Sequence, residues 1–190
     1  MMTPRDALEV LAEVRGRHVV ITTMTSAGIW PAISDTPLDF AYIPSSMGQG
    51  LSLGLGLALT QRDVIAIMGD GSLLMNLGSL VTIAQHPAHL HVILLDNGLY
   101  EVTGGQAVAG AGRTDFPGLA RAAGLAHVFA FDDLEEWKAN AGIVIAGPAP
   151  SFTALKVEGR LGQKTPLPPR PMSEQIARLR RSAADEPRTK

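Results

Sequence analysis

The stretch Val64-Ile65-Ala66-Ile67-Met68-Gly69-Asp70-Gly71-Ser72 decides the fold of this chain. An unbroken apolar run rich in β-branched residues reads as a strand covered on both faces, because a half-exposed strand would alternate. The glycines and Asp70 then make a tight junction, and a helix-like segment begins straight after it. In a parallel α/β sheet, ligands gather outside the carboxyl ends of the strands. A helix start at that edge offers N–H groups and a partial positive charge to a phosphate. Gly71 lets the backbone come close to such a ligand, and Asp70 adds a hard oxygen for a cation.

Working outward, apolar runs of the same kind fall at residues 18–23, 91–96, 128–131 and 152–157, with a shorter sixth candidate at 40–43. Helical spacing of apolar residues marks 3–15, 47–60, 73–85, 116–123 and 134–146, with Asp133 as N-cap of the last. This alternation predicts an α/β fold: a single domain with a mainly parallel sheet of about six strands and helices on both faces. The domain is expected over residues 1–158. Residues 159–190 read as an arm rich in proline (Pro166, Pro168, Pro169, Pro171) and a short basic helix at 173–181 that need not belong to the core.

The bulk numbers fit that picture. A chain of 190 residues builds one core rather than two, and 46% apolar with 18% charged residues is a globular composition. Net charge is −2 and the cations are scattered until the C-terminal tail, so no nucleic-acid surface is expected. There is no cysteine, which excludes disulfides and thiolate metal sites in this chain and fits the cytoplasm. No apolar run approaches the ~20 residues needed to span a bilayer, so no membrane role is expected.

A second strand-like run ends in Asp96-Asn97-Gly98-Leu99-Tyr100, and Asn97 follows Asp70 at the distance of one helix plus a return strand. That spacing places a carboxylate and an amide oxygen at neighbouring strand ends. Magnesium takes about six oxygens and usually shares them with substrate phosphates, so this pair suits it.

Gly69-Asp70-Gly71-Ser72 followed by Asn97 resembles the thiamine diphosphate signature of the decarboxylase and acetolactate synthase superfamily. Upstream Ser45-Ser46-Met47-Gly48 and downstream Thr103-Gly104-Gly105-Gln106 look most like phosphonopyruvate decarboxylase and the β subunit of sulfopyruvate decarboxylase. The resemblance implies a thiamine diphosphate-binding fold with thiamine diphosphate and Mg2+ as cofactors. Asp70, the Asn97 side chain and the Leu99 carbonyl would bind the metal. Gly71 and Ser72 would hold the diphosphate, with Tyr100 beside it. Met47 would wedge beneath the cofactor and force its bent shape, while the Ser45 carbonyl and Met47 N–H grip the pyrimidine edge. The loop after the first strand is only loosely similar; its candidates are Thr25 and Ser26.

In that superfamily a glutamate on a separate pyrimidine-binding domain activates the cofactor. Few residues precede the first strand here, so no catalytic residue is expected in this chain and the glutamate is expected on a partner, a separate pyrimidine-binding (α) subunit. The expected assembly is an even-numbered hetero-oligomer that decarboxylates a small 2-oxo acid bearing a second anionic group. Gln106 and Arg113 are the substrate candidates. A guanidinium fork suits a sulfonate or phosphonate, though Arg113 reads equally well as a solvent-facing charge. Two other functions stay open: half of a carboligase or 2-oxo acid oxidoreductase, and a non-catalytic cofactor-binding subunit.

Several features read more plainly. Glycines 48, 50, 54 and 56 suggest close helix packing rather than a dinucleotide loop. His86, His89 and His91 read as surface histidines, Met24, Met68 and Met75 as core filler, and Arg178, Arg180 and Arg181 as a solvated helix face.

Overall fold

A computed structural model describes residues 2–42, 46–161 and 167–184. The elements are α1 (Pro4–Val14), β1 (Val19–Thr23), α2 (Thr25–Ile29), β2 (Asp39–Tyr42), α3 (Gly50–Ala58), β3 (Val64–Gly69), α4 (Asp70–Leu74) and α5 (Gly78–Ala84). They continue with β4 (Leu90–Asp96), a small hairpin β5 (Leu99–Tyr100) and β6 (Gln106–Ala107), α6 (Phe116–Ala122), β7 (His127–Phe131), α7 (Leu134–Ile145), β8 (Ser151–Lys156) and α8 (Met172–Ala184).

Six strands form one sheet in the order β2-β1-β3-β4-β8-β7, and every pair is parallel. The expected α/β architecture is therefore the one observed. Successive side chains of each central strand go to opposite faces. Ile21, Ala66, Met68, Val92 and Leu94 join the helices α3, α5 and α6 on one side. Val20, Ile65, Ile67, Ile93 and Leu95 join α1 and α7 on the other. Burial on both faces is why these strands read as unbroken apolar runs. Gly54 of α3 sits so close to the sheet that a Cβ there would stand 3.1 Å from Leu90 and 3.2 Å from Ala66. The glycine-rich helix is packed tightly, as its sequence suggests, though Gly56 faces open space.

The topology locates the site. From β1 the chain moves to β2 at one edge, then returns to β3 on the other side of β1. The strand order thus reverses between β1 and β3, and the crevice at such a reversal is where open α/β sheets bind ligands.

Several expectations need correcting. The helix expected over 73–85 is two helices, α4 and α5. The turn between them lets the Asn76 side chain donate to Gly48 O at 2.9 Å. The helix expected from 47 begins at Gly50, since Met47–Gln49 form a turn with Gly48 at φ +78°. His91 is not a surface histidine: it is 3% exposed and bonded through Nδ1 to Ser151 Oγ at 2.7 Å. Met75, expected in the core, is 59% exposed.

The C-terminal helix has a defined place. Gln175 accepts from Ala41 N–H at 2.8 Å and donates to Ala41 O, so its amide completes the outer edge of β2 as a neighbouring strand would. Arg170 and Arg178 both bind Asp35, so Arg178 is not merely solvated; Arg180 and Arg181 are exposed. Beneath that edge, Arg15 and Asp39 form a buried ion pair at 2.7 Å.

Candidate functional site

At the β1/β3 reversal lies a narrow cleft, open at its mouth. Its floor is Gly69, Asp70, Gly71 and Ser72. One wall is Met24, Thr25, Ser26 and Met47, and the other is Asn97, Leu99, Tyr100, Glu101 and Val102, with Pro4 at the start of α1. Residues chosen from scattered parts of the sequence therefore converge.

Asp70 is 1% exposed. One carboxylate oxygen accepts from Gly71 N–H and the other from Gly98 N–H, each at 2.7 Å, so it ties the ends of β3 and β4 together. Burial pushes this carboxyl up to about 6; the two N–H groups oppose the rise, and the nearby Asp96 carboxylate adds to it. Asp96 itself pairs with Lys156 at 3.0 Å. The Asn97 amide oxygen accepts from Leu99 N–H at 2.9 Å, which folds this segment so that the amide and the following backbone come round to Asp70.

These donors fit a hard cation. All are oxygens, and a buried carboxylate beside a second one is short of positive charge. Among the described residues no cluster of three or more His, Asp or Glu could hold a metal. A cation here would need oxygens from a ligand to fill its shell, as magnesium does on a diphosphate.

A Cβ at Gly71 would overlap the Tyr100 ring, so the glycine is what lets Tyr100 pack against the start of α4. In the first turn of α4 the Gly71 N–H is already taken by Asp70, and helix geometry leaves the other N–H groups of that turn without a backbone acceptor in the helix. The Ser72 hydroxyl is occupied, accepting from Gly48 N–H at 2.9 Å and so fixing the turn that presents Met47 to the cleft. Across from it, Met24 lines the cleft with φ +53°, a conformation non-glycine residues rarely adopt. It is a wall residue rather than core filler. The Ser26 hydroxyl donates to Thr23 O at 2.7 Å and accepts from Thr23 N–H, so it secures the end of β1. Thr25 lines the cleft beside it.

Gln106 and Arg113 are exposed and do not line the cleft, while Ser45 lies outside the described residues. Sequence reasoning missed Gly98 and Pro4. Gly98 carries a usable signal, a glycine next to a ligand-like Asn; Pro4 carries none, because only the folded sheet brings α1 to this edge.

The family model described as "Thiamine pyrophosphate enzyme, C-terminal TPP binding domain" matches residues 22–153. Among curated proteins, phosphonopyruvate decarboxylase of Streptomyces hygroscopicus is 36% identical over 187 residues, 95% of this chain and 45% of that one. Sulfopyruvate decarboxylase subunit beta of Methanothermobacter thermautotrophicus is 54% identical over 77 residues, 40% of this chain and 41% of that one. The chain spans about half the length of the curated relatives it matches. Among solved structures, benzoylformate decarboxylase from Polynucleobacter necessarius superposes with a TM-score of 0.71 at 21% identity, covering 86% of this chain and 34% of that one.

Proposed function

Because the chain belongs to the thiamine pyrophosphate enzymes, matching their C-terminal TPP binding domain, we propose that it is the diphosphate-binding subunit of a magnesium-dependent 2-oxo acid decarboxylase. Its substrate is an anionic three-carbon 2-oxo acid such as sulfopyruvate or phosphonopyruvate, a reading supported by the names of the relatives above.

Asp70 carries the proposal: a carboxylate buried at the strand-order reversal, held by two backbone N–H groups and facing Asn97. Asp70, the Asn97 amide oxygen and the Leu99 carbonyl hold Mg2+. The backbone at Gly71 and Ser72 receives the diphosphate, with the Tyr100 ring alongside. Met47 fills the space beneath the cofactor, and Thr25 is the contact from the first loop because Ser26 is committed to Thr23. Thiamine diphosphate, when bound, supplies the carbon nucleophile and the electron sink for loss of carbon dioxide.

The second half of the site comes from another chain. Among the described residues the acidic ones lining the cleft are Asp70, which accepts from two backbone N–H groups, and Glu101, which accepts from one. Neither is left over to protonate a pyrimidine ring. The name "subunit beta" of the Methanothermobacter relative supports a separate α partner with the required glutamate. Two-fold symmetry then gives an even-numbered hetero-oligomer. Gln106 and Arg113 belong at the rim, where substrate and partner meet.

Asp70→Ala tests the reading. In the assembled complex it should remove most magnesium-dependent cofactor affinity, read by calorimetry. Unchanged affinity would sink the assignment, and decarboxylation by the isolated chain would refute the division of labour.

A further inference from the structure

The segment leaving β8 crosses directly over the loop that carries Asn97 and Leu99. Its origin is fixed: Val157 bridges to Met2, both buried, and Glu158 N–H donates to Met2 O at 3.0 Å. Three contacts then follow in successive residues. A Cβ on Gly159 would stand 2.6 Å from Leu99 Cδ1 and 3.0 Å from Asn97 O, so this backbone rests on the proposed metal-binding residues themselves. Arg160 N–H donates to Glu101 Oε1 at 2.7 Å. The Leu161 side chain lies over Gly105, where a Cβ would be 2.5 Å from its Cδ2.

Glu101 is the odd residue in this arrangement. It lines the cleft, yet a negative side chain at the mouth of a diphosphate site repels the ligand. Its bond to Arg160 accounts for it, because an N–H donating to a carboxylate is among the stronger hydrogen bonds. Neither Met2 nor the arm belongs to the cofactor motif, but Met2 anchors the segment that runs on to the loop completing it.

We propose that Glu101 is a positioning residue whose carboxylate clamps loop 97–105 to the segment leaving β8, holding Asn97 and Leu99 in place for the cation. The inference rests on reading the cleft as the cofactor site. The clamp itself is a property of the chain without ligand, so it can be measured separately.

The test uses the full chain, with its partner where affinity is read, and three variants: Glu101→Ala, Glu101→Gln and Gly159→Ala. Two quantities are measured: amide hydrogen exchange of residues 98–105 without ligand, and magnesium-dependent affinity for thiamine diphosphate. Glu101→Ala should raise exchange in 98–105 while leaving β7 unchanged, and should weaken affinity about tenfold, or about 1.4 kcal/mol. Gly159→Ala should act in the same direction by pushing Leu99 away. Glu101→Gln keeps an oxygen for Arg160 N–H in a weaker, uncharged bond and should fall between wild type and Glu101→Ala in both. The clamp is overturned if Glu101→Ala matches wild type in exchange, or if Glu101→Gln is as impaired as Glu101→Ala, which would point to a role for the charge itself. A wild-type complex that binds no cofactor would sink the reading of the site, and exchange would still decide the clamp.

Discussion

Acid should weaken this fold through His91, and the amount follows from its surroundings. Burial, foremost, and then the His18 ring 5.5 Å away hold its imidazolium form down to a pKa of about 4, with Asp63 opposing and His89 adding slightly. In the unfolded chain the same group titrates near the ordinary 6.5. Between those values the unfolded chain binds more protons than the folded one, so stability falls as pH falls, and the loss is complete only below the folded value. The gap corresponds to about 3 kcal/mol at pH 4, of which roughly 2 kcal/mol is lost by pH 5. With a urea dependence of about 2 kcal/mol per M, the unfolding midpoint should drop about 1 M between pH 7 and pH 5 from this residue alone. Carboxylates titrate over the same range, so the quantity to measure is a difference. His91→Asn keeps a polar partner for Ser151 but cannot take up the proton, and its midpoint should fall about 1 M less than that of wild type. Equal falls in the two proteins would show that His91 is not held neutral by the fold.

Three further outcomes are expected. Met47→Ala in the assembled enzyme should slow deuterium exchange at the thiazolium carbon more than it weakens cofactor binding, and an unaltered exchange rate would exclude the wedge role. Arg15→Met leaves the buried Asp39 with Trp30 Nε1, the Ser34 hydroxyl and Thr36 N–H as donors but without its cation, and should cost about 3–5 kcal/mol in urea unfolding. Gln175→Ala uncovers the edge of β2; stability should drop by about 1–2 kcal/mol and self-association should rise in sedimentation.

Most of the fold was legible because the central strands are buried on both faces, and that burial writes itself as uninterrupted apolar runs. The Asp133 cap was legible for a local reason: its side chain accepts from Glu135 and Glu136 N–H at 3.0 Å, a bond made within one turn. What failed depends on distant partners. The break between α4 and α5 is matched by Asn76 reaching Gly48, and His91 is buried because strand pairing sets it opposite Ser151. Nothing near either residue in sequence announces those contacts. α2 is too short to show a helical period. In the site, the cleft-lining pair Asp70 and Asn97 was visible from spacing, whereas Pro4 and the Glu101–Arg160 contact join segments far apart in sequence that only the folded chain brings together.

Asp70 joins two roles that mutagenesis will tend to confuse. Its oxygens bind N–H groups from two strand ends, Gly71 after β3 and Gly98 after β4, so the carboxylate sets the spacing of the residues that flank the proposed cation. Removing it deletes a ligand and also leaves two backbone donors without their acceptor, at a cost of the order of 1–3 kcal/mol each if water cannot reach them. Loss of cofactor in Asp70→Ala therefore does not by itself separate a missing ligand from a displaced loop. Asn97 offers the cleaner comparison, because among the described residues its amide oxygen serves the local turn to Leu99 N–H. Asn97→Asp keeps that acceptor and adds charge, whereas Asn97→Ala loses both the oxygen and the turn. If Asn97→Asp retains magnesium-dependent binding that Asn97→Ala loses, while amide exchange of residues 98–105 is alike in the two, the oxygen at this position is what the cation needs. A site defined only by loop shape would treat Asn97→Asp no better than its own unfavourable charge allows.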